Sequence, residues 1–470
     1  MPKSWTDDAP APEVLKDHAH LKDSFFYTIK RRLLGNPLNR HSLGHQRLSK
    51  RYALGILSSD CISSSAYGSE QILIALLPAF GLAAFALLMP MTAVVLTILV
   101  IITLSYRDVI NVYTKVGGAY IVSRDNFGPV VAQVAAVALM LDYIVTVAIQ
   151  SAAGVAAIIS TFPSLEPGKM YMIFGVIAFL TYGNLRGVKE AGKAFALPTY
   201  FFVGCMFIVF GMGLYRLANG TLPVLDTNLP GAVHVGEAQG LLTFSAIFIL
   251  LRAFANGGSS LTGLEAISDG VALFKTPEHV NAKRTLVIMS TLLGTLVLGV
   301  SYFAHHIHAM PYESGVPTVI SQIAKAAVGT GTFGSVMFIL VQLATMLILF
   351  AGANTTFSAF PLLVNFVATD GYLPRQLTKR GHRLAFSNGI LLLAGGGALL
   401  VAITAGSVEH LVAFYALGVF TGFTLAGFGM SRYFSRTKPK NWKVKVAINS
   451  IAGSVSLTIV IIFSVVKFTE

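Results

Sequence analysis

The sequence specifies an all-α protein threaded many times through a membrane. Hydrophobic residues fill 54% of the 470 positions and charged residues only 12%, against roughly 25% charge in an ordinary soluble domain. That deficit leaves too few charges to solvate a globular surface. A soluble enzyme, a disordered chain and a disulfide scaffold are therefore set aside. The apolar residues gather in runs of about 20 or more, the length that crosses a bilayer as helix, and the mean hydropathy is +0.70.

Eleven such runs lie near residues 52–77, 82–104, 129–161, 168–184, 193–215, 240–272, 285–308, 333–366, 386–406, 408–431 and 446–466. Residues 1–49 are polar, with Lys30, Arg31, Arg32, Arg40 and Arg47. They lack the short apolar core and cleavage site of a secretory leader, so the first run is expected to remain as a span. Around Phe25, Phe26, Leu33 and Leu34 this segment reads as an amphipathic helix on the cytoplasmic surface. Cys61 and Cys205 lie inside apolar runs and read as small buried hydrophobes.

The basic residues set the orientation. With the N-terminus in the cytoplasm, 29 of the 34 Lys and Arg fall on the cytoplasmic side. Four fall outside (Lys169, Arg216, Lys325 and Lys467), and Arg252 lies within a span. The asymmetry fixes the orientation by the positive-inside rule, and the expected location is a cell's inner or plasma membrane. The net charge of +13 is then a topology signal and a lipid-headgroup contact, and no nucleic-acid partner is expected. An eleventh span would leave the C-terminus outside, so a twelfth span is expected to be missing.

An internal echo locates the site. Span 1 contains Ser64-Ser65-Ala66-Tyr67-Gly68-Ser69-Glu70, and span 6 contains Ser259-Ser260-Leu261-Thr262-Gly263-Leu264-Glu265. Both read SSxxGxE near mid-span, 195 residues apart. Five spans separate them, so the repeat is inverted. A five-plus-five inverted repeat whose first spans are interrupted by small residues points to the binding site of a secondary transporter. Helix breaks are expected at Ser65 and Gly68 and at Gly258, Ser259 and Gly263. A lone SSxxG would mean no more than close helix packing. The domains follow: 1–49 an N-terminal segment, 50–218 the first repeat, 219–239 an external loop, 240–432 the second repeat, and 433–470 span 11.

Ionisable groups at mid-membrane cost about 2.5–3.5 kcal/mol each, yet acids outnumber bases here. Asp60 precedes the first break, Asp142 lies near the centre of span 3, and Glu265 follows the second break. Glu70 and Asp269 lie nearer the span ends. Bound cations or protons must neutralise the excess. Asp60 could instead bond freed amides across the break, Asp142 could be a neutral acid bonded within the bundle, and Glu265 could simply approach the cytoplasmic exit. Asp60, ahead of the break, meets the negative end of a half-helix, which suits a cation. Oxygen donors surround these acids: Ser64, Ser65, Tyr67, Tyr143, Thr146, Ser259, Ser260, Thr262 and Tyr415. Neutral oxygens suit potassium. An amino acid would need a Gly-rich nest for its carboxylate, and span 1 has Ser-Ser-Ala-Tyr-Gly instead. The His305, His306 and His308 cluster lacks a neighbouring acid or Cys in sequence, so no transition-metal site is expected. Arg252 could clamp a carboxylate substrate, but reads rather as the structural partner of a buried acid.

The segment 60–70 resembles the first-span signature of the KimA-type potassium importers of the KUP family, within the amino acid–polyamine–organocation superfamily. The resemblance continues through Lys115-Val116-Gly117-Gly118-Ala119-Tyr120, Asp142-Tyr143-Ile144-Val145-Thr146, Arg252-Ala253-Phe254 with Leu261-Thr262-Gly263-Leu264-Glu265, and Asn354-Thr355 with Phe360-Pro361. It implies a LeuT-like inverted repeat of twelve spans and proton-coupled potassium import. Carried over by motif, Asp60 and Tyr67 would line the pathway from span 1, with Asp142, Tyr143 and Thr146 from span 3; Ser64, from the oxygen donors above, is expected to bind the cation beside them. Thr262 and Glu265 would do so from span 6, and Tyr415 from its Ala-Phe-Tyr-Ala-Leu-Gly run. Asp142 and Glu265 are the candidates for proton coupling. The implied partners are potassium, protons and the bilayer, with no cofactor and no catalytic residue. KimA-type proteins also carry a cytosolic C-terminal region that supports dimerisation and binds a cyclic dinucleotide. That region is not found here, and a homodimer stays open. The rival is a proton-coupled amino acid or amine permease on the same fold. A potassium channel lacks its TVGYG-like filter, and an enzyme lacks HExxH or GxSxG.

Overall fold

A computed structural model describes residues 31, 48–114, 118–186, 196–237, 243–379 and 386–467. The basic and aromatic residues singled out in the N-terminal segment, Arg31 apart, lie outside the described residues, as do Lys115, Val116 and Gly117. All the regular structure described is helical. Inside hydrocarbon each unpaired amide costs several kcal/mol, so an open chain has to coil.

Among the described residues, eight helices are long and apolar enough to cross a membrane unaided. They include span 2 (Ala83–Val112), span 3 (Pro129–Thr161), span 5 (Leu197–Ala218), span 7 (Glu278–Ile307), span 8 (Thr332–Thr369) and span 10 (Val408–Thr437). Spans 4 and 9 are 17-residue helices, Lys169–Leu185 and Ser387–Ile403. Span 1 is built in pieces: Lys50–Leu57, Ser59–Ser63, a 3-10 turn at Ser64–Ala66, and Gly68–Phe80. Several helices outrun their apolar cores. Span 7 starts at Glu278 rather than near residue 285, and span 10 continues to Thr437 rather than 431. A helix bonds its own backbone, so charged residues such as Arg284 and Arg432 prolong it past the hydrocarbon edge.

The fold is the LeuT-like inverted repeat. Spans 1, 2, 3 and 4 each pack against the span five places later, as a pseudo-two-fold axis in the membrane plane requires. Spans 2 and 7 are 30 residues each and zip antiparallel through Asn111 with Lys283, Thr103 with Ser290 and Thr92 with Ser301. The symmetry extends to two short helices, Gly118–Phe127 between spans 2 and 3 and Val319–Val328 between spans 7 and 8, ten residues each. Both are too short to register as apolar runs, so hydropathy passes over them.

Candidate functional site

The repeated sequence is also a repeated shape. In span 1 the 3-10 turn begins at Ser64, Tyr67 leaves helical geometry (φ −126°, ψ −15°), and helix resumes at Gly68. In span 6 the helix Phe244–Gly258 gives way to a 3-10 turn at Ser259–Leu261. Thr262 is extended (φ −71°, ψ 157°), Gly263 takes φ +77°, and helix resumes at Glu265. The two Ser-Ser pairs open the two breaks, and Tyr67 and Thr262 form the matching joints.

Hydroxyls make the breaks tolerable. Ser63 and Ser65 donate to the carbonyls of Asp60 and Ile62 at 2.8 and 2.7 Å, and Thr262 donates to that of Ser259 at 3.0 Å. Carbonyls stranded by an interrupted helix are thereby satisfied without water. Ser64 joins the two breaks: its hydroxyl lies 2.6 Å from the Cys61 carbonyl and 2.8 Å from the Ser260 carbonyl, sharing one hydrogen between them. The contact demands glycine on both sides. A Cβ on Gly68 would collide with the Ser260 hydroxyl, and one on Gly263 would lie 3.0 Å from the Asp60 carboxyl.

Span 3 presents a polar stripe to this junction. Asp142, Thr146 and Gln150 recur every four residues, on one helical face, and all three are buried. The Gln150 amide donates to Asp60 Oδ1. The Asp142 and Glu265 carboxyls are close electrostatic neighbours. Tyr415, fully buried on span 10, stands between Thr146 and Tyr67. The hydroxyls of Tyr67, Thr146, Ser259, Ser260 and Tyr415 are buried and have no hydrogen-bond partner among the described residues.

Asp60, Ser64, Tyr67, Asp142, Thr146, Thr262, Glu265 and Tyr415 thus converge where the breaks touch. Tyr143 faces elsewhere. Its hydroxyl donates to Asp269 Oδ2 at 2.6 Å, and its ring meets Phe360 edge-on at 6.5 Å between centroids. Gln150 escapes a reading that counts charges, because a neutral amide does not register there. Its signal is the eight-residue spacing from Asp142. Glu70 accepts the Val319 amide at 3.5 Å and so ties span 1 to the short helix between spans 7 and 8.

A cavity of about 740 Å³ descends to Ala66 and Tyr67 from the face on which spans 1 and 3 end. Arg252 and Glu409 line its wall 3.8 Å apart, both partly exposed. The sequence suggests a buried acid as the partner of Arg252. The acid it meets opens span 10 at the cavity wall, where water reduces the cost of holding an ion pair.

Residues 53–469 match the amino acid permease family. The chain belongs to that family. Among relatives of this permease, the potassium transporter KimA of Bacillus subtilis strain 168 is 40% identical over 445 residues, 94% of this chain and 71% of that protein. Family membership and the apolar helices make this permease a multi-pass membrane protein.

Proposed function

We propose that this permease imports potassium together with protons by alternating access. The observation that carries the reading is the meeting of five buried hydroxyls, unbonded among the described residues, with three carboxyls where two helix breaks touch. Neutral oxygens and one or two carboxylates replace the hydration shell of an alkali cation. The relative named a potassium transporter supports the choice of ion. Asp60, held by Gln150, faces the cation with Ser64, Tyr67, Thr146, Thr262 and Tyr415. Tyr143 closes the path on the far side through Asp269. Asp142 and Glu265 adjoin, and two adjoining carboxylates repel unless a proton or a cation stands between them. That pair is the coupling element: it carries a proton with the arriving cation and releases it when access switches.

The proposed orientation puts the N-terminus in the cytoplasm of a cell whose inner or plasma membrane holds the chain. The cavity then opens to the outside. Residues 50–218 and 240–432 act as the two repeats, and one bundle rocks against the other. Radioactive rubidium uptake into proteoliposomes tests the reading. An inward proton gradient should accelerate uptake, and unlabelled potassium should compete with it. Asp142→Asn should remove the acceleration. Gradient-driven uptake left intact in that variant would end the coupling assignment. Competition by amino acids or amines would replace the cation with the rival substrate class.

A further inference from the structure

A second site lies on the outer surface, between spans 2 and 7. Their antiparallel seam leaves a groove of about 450 Å³ lined by Leu99, Val100, Thr103, Val287, Thr291 and Thr295, with Arg107 at one end. Small side chains create it. Gly294 lets Leu96 and Leu99 lean in, to within 3.5 and 3.4 Å of where a Cβ would sit. Three of its hydroxyls are turned inward. Thr291 and Thr295 donate to the carbonyls of Val287 and Thr291, and Thr103 lies 2.6 Å from the Leu99 carbonyl and 2.8 Å from Ser290. These threonines offer methyl groups, so the groove suits a hydrocarbon chain. Val100 and Val287 are 58% and 41% exposed at a depth where the surrounding medium is lipid.

The charge at the groove's end selects the headgroup. The seam pairs Asn111 with Lys283 and Thr103 with Ser290, which sets Arg107 opposite Val287. Arg284 lies one turn from Val287 on the same helical stripe. Arg107 and Arg284 are both exposed, and neither has a hydrogen bond or ion pair among the described residues. Asp108, beside Arg107, is engaged with Lys445 at 3.7 Å and Asn449 at 3.0 Å. A helix end carrying unpaired arginines beside an apolar groove complements one molecule with an anionic head and a long tail. We propose that this groove binds an anionic phospholipid, its acyl chain along Leu99 to Thr295 and its phosphate on Arg107 and Arg284.

Native mass spectrometry of the full chain, released from nanodiscs of equimolar phosphatidylglycerol and phosphatidylcholine with matched chains, tests this. The unmodified protein should retain phosphatidylglycerol in preference, by about tenfold or more for two arginines. The double variant Arg107→Gln/Arg284→Gln, changed only at exposed positions, should lose the preference and keep the total lipid retained. Thr295→Trp, which fills the groove, should lower retention of both lipids. Equal retention of the two lipids by the unmodified protein, or a preference undiminished in the double variant, overturns the proposal. So does a dimer that Thr295→Trp dissociates without altering lipid content, which would make the groove an interface between copies of this chain.

Discussion

Gln150 donates to a carboxylate that has no cationic side chain bonded to it among the described residues, so its removal should be felt at Asp60 before anywhere else. Gln150→Leu keeps the volume and deletes the donor. Leaving a buried acceptor unsatisfied costs about 1–3 kcal/mol, so the variant should melt earlier in detergent and bind rubidium several-fold more weakly. Unchanged melting and affinity would remove Gln150 from the site. Asp142 and Glu265 behave as one unit if they share a proton. Glu265→Gln should therefore reproduce the loss of proton-driven uptake expected of Asp142→Asn, and the double variant should be no worse than either alone. Additive losses would separate the two roles. At this scale the acids and hydroxyls are legible in the sequence, because charge and oxygen inside an apolar run are costly without a purpose. The pairing of Gln150 with Asp60 and of Tyr143 with Asp269 is not. Those contacts depend on how span 3 is rotated against spans 1 and 6, and composition carries no record of that rotation.

The two breaks depend on glycine for different reasons. Gly68 must leave room for the Ser260 hydroxyl, whereas Gly263 must adopt φ +77° beside Asp60. A side chain in the left-handed region costs about 1–2 kcal/mol, and the close approach to Cys61 and Asp60 adds to it. Gly263→Ala should lower both thermal stability and uptake, while Gly395→Ala, with nothing near its would-be Cβ, should leave both alone. Equal behaviour of the two variants would contradict the constraint at the break. The SSxxGxE echo marks where the helices open. It does not reveal that each serine pair winds into a 3-10 turn, or that the turns touch through Ser64. A further turn at Ser58 divides the first half of span 1. There Thr199 takes up the Gly55 carbonyl at 2.7 Å, a partner 144 residues away that local patterning could not supply.

For the whole molecule, the inverted repeat and the distribution of lysine and arginine make separate statements about the same topology. Cys61 and Cys205 are both buried, so an introduced surface cysteine should report its own side of the membrane. Lys325→Cys, on the helix between spans 7 and 8, should react with an impermeant maleimide on intact cells. Arg436→Cys, at the end of span 10, should react only after permeabilisation. The reverse pattern would invert the orientation and place the mouth of the cavity inside. The succession of spans is legible because bilayer thickness imposes a length on each one; the charge bias of the loops adds an expected orientation, which the labelling tests. The short helices at 118–127 and 319–328 answer to neither constraint, and only the three-dimensional repeat shows that they correspond.

The central claim is that a dehydrated alkali ion rests among Tyr67, Thr146, Thr262 and Tyr415, where the two breaks meet. Anomalous diffraction from crystals grown in rubidium measures this directly. A single strong peak within coordination distance of those hydroxyls and of Asp60, lost in Asp60→Asn, is the expected result. An empty junction with rubidium bound elsewhere, or an amino acid seated between the breaks, would contradict the account.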